Sequence, residues 1–106
     1  MNNYAHIIEQ LNNMLRTKYS DYLGSYLYGS QLTGKTHDDS DIDVALIFRR
    51  EISWKFKDEV YDSIYSIMVD NDVVLDARVY SEKEMKFPST PFREVVVNTG
   101  KFYAAA

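Results

Sequence analysis

The chain contains no cysteine. Disulfides, thiolate zinc sites and a cysteine nucleophile are therefore excluded. Its two histidines are too few for a multi-histidine metal site. Net positive charge is also lacking. Twelve Lys and Arg against sixteen Asp and Glu leave −4, the wrong sign for the basic footprint of a non-specific nucleic-acid binder. No stretch approaches the roughly 20 apolar residues of a membrane span, so no membrane association is expected. Met1-Asn2-Asn3-Tyr4 has neither a basic nor an apolar leader region. It is not read as a secretory signal, and the expected compartment is the cytoplasm. No internal repeat is visible.

What remains is an ordinary globular composition on a small scale. The chain has 106 residues, 45% of them hydrophobic and 14% aromatic, with nine tyrosines. That is enough apolar material to offset ordering entropy, and room for one domain rather than two. We expect a single domain over residues 1–103, with Ala104-Ala105-Ala106 as a disordered tail. A core this small can hold one catalytic constellation and has little left to grip two large substrates.

The periodicity predicts alternating helices and strands. Tyr4, Ile7, Ile8, Leu11, Met14 and Leu15 recur at helical spacing, and Asn2 or Asn3 can cap that helix. Tyr22 to Tyr28 reads as a strand, with Tyr22, Tyr26 and Tyr28 packing or lining an interface. Residues 30–40 are polar and turn-rich, and Asp41 to Phe48 is a second strand. Ser53 can cap a helix to about Val69, with Val60, Tyr61, Ile64 and Met68 as its apolar stripe. Val73 to Tyr80 is a third strand. Ser81 and Glu84 have capping-box spacing. Thr90-Pro91 suits the cap and first position of a last helix, closed by Gly100. The expected class is α/β (α+β), one sheet flanked by helices. Such an order puts the polar loop and the start of the second strand at one sheet edge.

Asp41 and Asp43 are two apart on a predicted strand, so their carboxylates share a face while Ile42 and Val44 point into the core. Adjacent carboxylates repel unless a cation or free solvent relieves them, and a hard cation such as Mg²⁺ takes oxygen ligands. Asp76 interrupts an apolar strand (Val73-Val74-Leu75-Asp76-Ala77), where an acid needs a partner. If the second and third strands are neighbours, Asp76 can complete a three-acid cage. The plainer reading is that these are solvated strand-end acids, and Asp38 and Asp39 are read that way. A calcium loop starting at Asp39 fails, because Val44 falls where glycine is required and Arg50 where the bidentate Glu belongs.

Gly29-Ser30-Gln31-Leu32-Thr33-Gly34-Lys35-Thr36 matches a Walker A pattern. That motif needs a helix starting at Lys-Thr whose N-terminus faces the phosphates. Here His37-Asp38-Asp39-Ser40-Asp41 follows at once and leads into a strand, so the match is rejected. Gly29 instead allows close backbone approach to a ligand. Ser30 can open a short helix whose N–H groups bind phosphate oxygens. Phosphate donors and metal acids then meet at one edge, as a nucleoside triphosphate with Mg²⁺ requires.

Gly29-Ser30, ten residues, Asp41-Ile42-Asp43-Val44, then Asp76 on a later strand: this arrangement resembles the DNA polymerase β nucleotidyltransferase superfamily, and its short length is similar to the minimal nucleotidyltransferase (MNT) group. The resemblance covers nearly the whole chain. It implies a small nucleotidyltransferase fold with one mixed sheet. It implies that Asp41 and Asp43 bind two Mg²⁺ ions and that Asp76 binds the acceptor-side metal and helps deprotonate the attacking hydroxyl. Gly29 and Ser30 would hold the triphosphate of ATP. It further implies a HEPN-like helical partner in a hetero-oligomer, with AMP passing to a partner hydroxyl. Members often carry arginines just after the serine. Gln31 and Thr33 stand there instead, leaving Lys35 as the nearest cation, either a phosphate ligand or a solvated loop lysine. His37 and His6 are read as a loop and a surface residue.

Overall fold

The computed structural model describes residues 4–28, 42–86 and 90–105. Eight elements run in the order α1 (Tyr4–Lys18), β1 (Tyr22–Tyr28), β2 (Ile42–Phe48), α2 (Trp54–Asn71), β3 (Leu75–Ser81), α3 (Glu82–Lys86), α4 (Pro91–Thr99) and β4 (Lys101–Ala104). They build a four-stranded mixed sheet in the order β3-β2-β1-β4. β1 pairs antiparallel with both β2 and β4, and β2 pairs parallel with β3. The parallel pair requires a crossover, which α2 supplies. No helix among the described residues is long and apolar enough to cross a membrane.

Strand alternation divides the sheet into two faces. Ile42, Val44, Leu46 and Phe48 point from β2 into the main core, where α1 contributes Ile7, Ile8, Leu11 and Leu15 and α2 contributes Phe56, Val60, Ile64 and Ile67. Each such side chain stabilises the fold by roughly 1.5–3 kcal/mol on burial. The opposite face carries a smaller cluster of Tyr28, Ala45 and Ile47 under Met85 of α3 and Val96 of α4. The result is three layers: α1 and α2, the sheet, then α3 and α4.

The expected caps form. Ser53 Oγ accepts from Phe56 N at 3.1 Å. Ser81 N donates to Glu84 Oε1 at 3.0 Å and Glu84 N to Ser81 Oγ at 3.1 Å, a reciprocal capping box. Thr90 Oγ1 accepts from Arg93 N at 3.2 Å, with Pro91 opening α4. α2 extends to Asn71 and stops at Asp72, whose backbone is left-handed with φ 52°.

Three expectations differ from the structure. Tyr61, expected in the α2 core stripe, is exposed, because Phe56, Val60, Ile64 and Ile67 form the buried face and Tyr61 sits beside it. The third strand starts at Leu75 rather than Val73. The tail expected at 104–106 is ordered in part: Ala104 closes β4, and Ala105 is buried with its N–H bonded to Leu23 O at 3.0 Å. Ala106 lies outside the described residues. β4 can lie against β1 because Gly24 adopts φ 147° at a register shift, where a Cβ would come within 2.5 Å of Tyr103 O.

Candidate active site

One end of the sheet holds a row of three polar side chains. Tyr28 on β1 is the register partner of Asp43 on β2, and Asp43 is the partner of Asp76 on β3. All three lie on the face opposite the main core, since their neighbours Leu27, Ile42, Val44 and Leu75 fill that core. β2 and β3 are adjacent, so the two carboxylates stand about 5 Å apart at the backbone level. Ile42 N donates to Val74 O at 2.9 Å, which carries the parallel ladder up to the acids. Asp43 is half-buried and Asp76 exposed.

Arg78 stands one row deeper, beside Ala45, on the same face as Asp76. Its guanidinium donates to the Tyr28 phenol oxygen. Burial pushes the Tyr28 phenol up to about 12. The Arg78 hydrogen bond and charge oppose that rise, and the Asp43 and Asp76 carboxylates reinforce it. Tyr28 is therefore a neutral hydroxyl at physiological pH. For Arg78, burial acts to lower the pKa, but the Tyr28 hydrogen bond, with Tyr28, Tyr80 and Asp76, raises it, so it keeps its charge beside the acids. Farther along, Arg93 lies 5.7 Å from the Tyr80 ring centroid and 3.5 Å from Glu84.

Asp43 and Asp76 are thus side by side on one face. Asp41, Gly29, Ser30 and Lys35 lie outside the described residues, as do the Walker-like loop and His37. Among the described residues, no group of three His, Cys, Asp or Glu side chains is placed to hold a metal. The two in-register carboxylates are hard oxygen donors and suit a magnesium-type ion. Arg78 is not singled out from sequence, and Tyr28 is read there as a packing or interface residue rather than as part of the site. The signal for Arg78 is its i, i+2 spacing from Asp76, and for Tyr28 its place just before Gly29-Ser30.

Comparison with known proteins bears on this arrangement. The family model described as "Polymerase beta, Nucleotidyltransferase" matches residues 9–100. No curated protein matches significantly. Among solved structures, a chain of a toxin–antitoxin complex crystallised with AMP-PNP is 25% identical with a TM-score of 0.62, over 92% of this chain and 69% of that one. A chain of the MntA–HpeT toxin–antitoxin, with two aspartates changed to glutamate, is 22% identical with a TM-score of 0.61, over 96% and 71%. A chain from the complex of tri-AMPylated Shewanella oneidensis HEPN toxin with MNT antitoxin is 22% identical with a TM-score of 0.52, over 89% and 70%. The last two likenesses are of fold.

Proposed function

Because this chain belongs to the polymerase beta nucleotidyltransferase family, we propose that it transfers AMP from ATP to a hydroxyl of a HEPN-like partner protein, as the antitoxin of a HEPN/MNT-type pair. The observation that carries this reading is the alignment of Asp43 with Asp76 on adjacent parallel strands, at the sheet end where β1 runs out toward Gly29-Ser30. The similar complexes, one with AMP-PNP and one with an AMPylated HEPN toxin, support the nucleotide and the partner class.

In this reading Asp41, Asp43 and Asp76 hold two Mg²⁺ ions, which when bound neutralise charge on the attacking and leaving oxygens. Gly29 and Ser30 bind the triphosphate through backbone N–H groups, with Lys35 as the local cation. The acceptor oxygen bonds to the α-phosphorus and the bond to the β-phosphate oxygen breaks. Pyrophosphate carries away that electron pair. Asp76, on the edge strand and exposed, takes the hydroxyl proton. Asp43, half-buried on the central β2, is the more rigid of the two acids and sets the geometry.

A second reading is a binding module that neutralises its partner by complex formation with weak or lost catalysis. Gln31 and Thr33, where relatives often have arginine, favour it. One assay separates them: the chain, Mg²⁺, labelled ATP and a HEPN-like partner protein. Transfer predicts label on the partner, absent with Asp43→Ala. No label, with equal neutralisation by wild type and Asp43→Ala, leaves only the binding module.

A further inference from the structure

Seven large hydrophobic side chains are exposed among the described residues, and five of them belong to one region: Trp54, Tyr61, Tyr65 and Val69 on α2 and Val74 just beyond it. Such clustering is not the scatter of a monomer surface. The α2 residues are spaced seven, four and four, which confines them to an arc of roughly 80° and a line about 22 Å long. Trp54 is 71% exposed, Tyr65 64% and Val69 60%. The fold does not need this stripe, because Phe56, Val60, Ile64 and Ile67 already anchor α2 from its other side.

The C-terminal end of the stripe lies at the same end of the sheet as the acids, with α2 covering the opposite face. α2 leads through Asp72 directly into β3, so Val69 and Val74 lie at the Asp76 end. Tyr61 lies within electrostatic reach of Arg78, Tyr80 and Asp76. Among the described residues, β3 has a neighbour on one side alone.

Charge selects the occupant. α2 carries Asp58, Glu59, Asp62 and Asp70 against Lys55 and Lys57, and Asp58 and Asp62 fall on the exposed side among the aromatics. A second copy of a chain with net charge −4 would set acids against acids. A different protein with a basic rim complements the face. At about 150–250 Å² per aromatic side chain, the exposed parts of the stripe amount to roughly 500 Å², over half of the ~800 Å² that each partner buries in a standard interface.

We propose that the Trp54, Tyr61, Tyr65 and Val69 face of α2, with Val74, docks a protein bearing an apolar strip rimmed by lysine and arginine, and that this protein presents the acceptor hydroxyl at Asp76. The second half rests on the nucleotidyltransferase reading above; the docking half does not.

Trp54 is the chain's single tryptophan, so 5-fluorotryptophan labelling yields one ¹⁹F resonance at the stripe, free of any tryptophan signal from the partner. An unlabelled HEPN-like protein is titrated in. The docking face predicts that the resonance shifts or broadens to saturation. It predicts that Tyr65→Asp and Val69→Asp each weaken binding by about tenfold or more, and that Val95→Asp, on exposed α4 surface, does not. Unchanged affinity in both stripe variants, or a resonance indifferent to saturating partner, overturns the docking face. Self-association of the wild type, relieved by Tyr65→Asp, overturns the choice of a foreign partner. Both stripe variants sit on exposed positions, and their Mg²⁺-ATP thermal shift must match that of wild type. If docking behaves as stated but no AMP reaches the partner, the transfer reading falls and the interface stands.

Discussion

Replacing Asn12 by alanine tests how the two ends of the chain are held together. Asn12 is a buried side chain in the middle of α1. Its Oδ1 accepts from the Tyr22 phenol and from Ser25 Oγ at 3.1 Å. Its Nδ2 donates to Tyr103 O at 3.0 Å, and more weakly to Ala104 O at 3.5 Å. One amide thus joins α1 to both β1 and β4. Alanine leaves two buried hydroxyls without their acceptor, at about 1–3 kcal/mol each. The carbonyls of Tyr103 and Ala104 are open enough to reach water and cost little. Alanine recovers about 0.5 kcal/mol of helix propensity, and a water entering the space recovers part of the rest. The net loss is about 2–4 kcal/mol, or roughly 10–25 °C in Tm for a domain of this size. Urea unfolding followed by circular dichroism measures it, with the m-value unchanged. A cycle with Tyr22→Phe should show a coupling of about 0.5–3 kcal/mol, because the two groups share one bond. A loss below about 0.5 kcal/mol, or simple additivity of the two substitutions, refutes the reasoning.

At the acid row, Mg²⁺-ATP should raise Tm by mass action, and Asp43→Asn should reduce that rise by most of its size while EDTA abolishes it in the wild type. A rise that survives in Asp43→Asn would remove Asp43 from the site. Tyr28 titrates near 12 when folded and near 10 when unfolded. Below pH 10 both states are neutral; above it the unfolded state ionises first, so stability falls by ~2–3 kcal/mol between pH 10 and 12. The burial-raised phenol of Tyr22 acts in the same direction. Tyr28→Phe should flatten part of that alkaline decline in Tm, and an unchanged profile would contradict its buried, neutral state. Gly24→Ala places a methyl 2.5 Å from Tyr103 O at φ 147°. It should cost about 3 kcal/mol through strain and overpacking, read by denaturant melts as loss of the β1–β4 pairing; a near-neutral result would place β4 elsewhere.

The contrast between what sequence periodicity revealed and what it hid has a physical origin. Helix limits and caps are local: Ser53, the Ser81–Glu84 box and Thr90-Pro91 act within three residues, so their spacing alone declares them. The shared face of Asp43 with Ile42 and Val44 opposed is equally local, since alternation needs only a strand. Whether Asp76 stands beside Asp43 is a question of pairing between strands 33 residues apart in sequence. The sequence could state it only as a condition, that β2 and β3 be neighbours. β4 was hidden for a related reason. Lys101–Ala104 is four residues long with no apolar alternation of its own, and it becomes a strand because Gly24 lets it approach β1. Tyr61 was assigned to the core because an apolar residue at helical spacing satisfies the buried and the exposed stripe alike; α2 is apolar on both sides. That last ambiguity carries information. A helix that needs one apolar face to fold and displays two has the second for something outside the chain, so the residue that misled the core assignment belongs to the face proposed for docking, at the Asp76 end of the sheet.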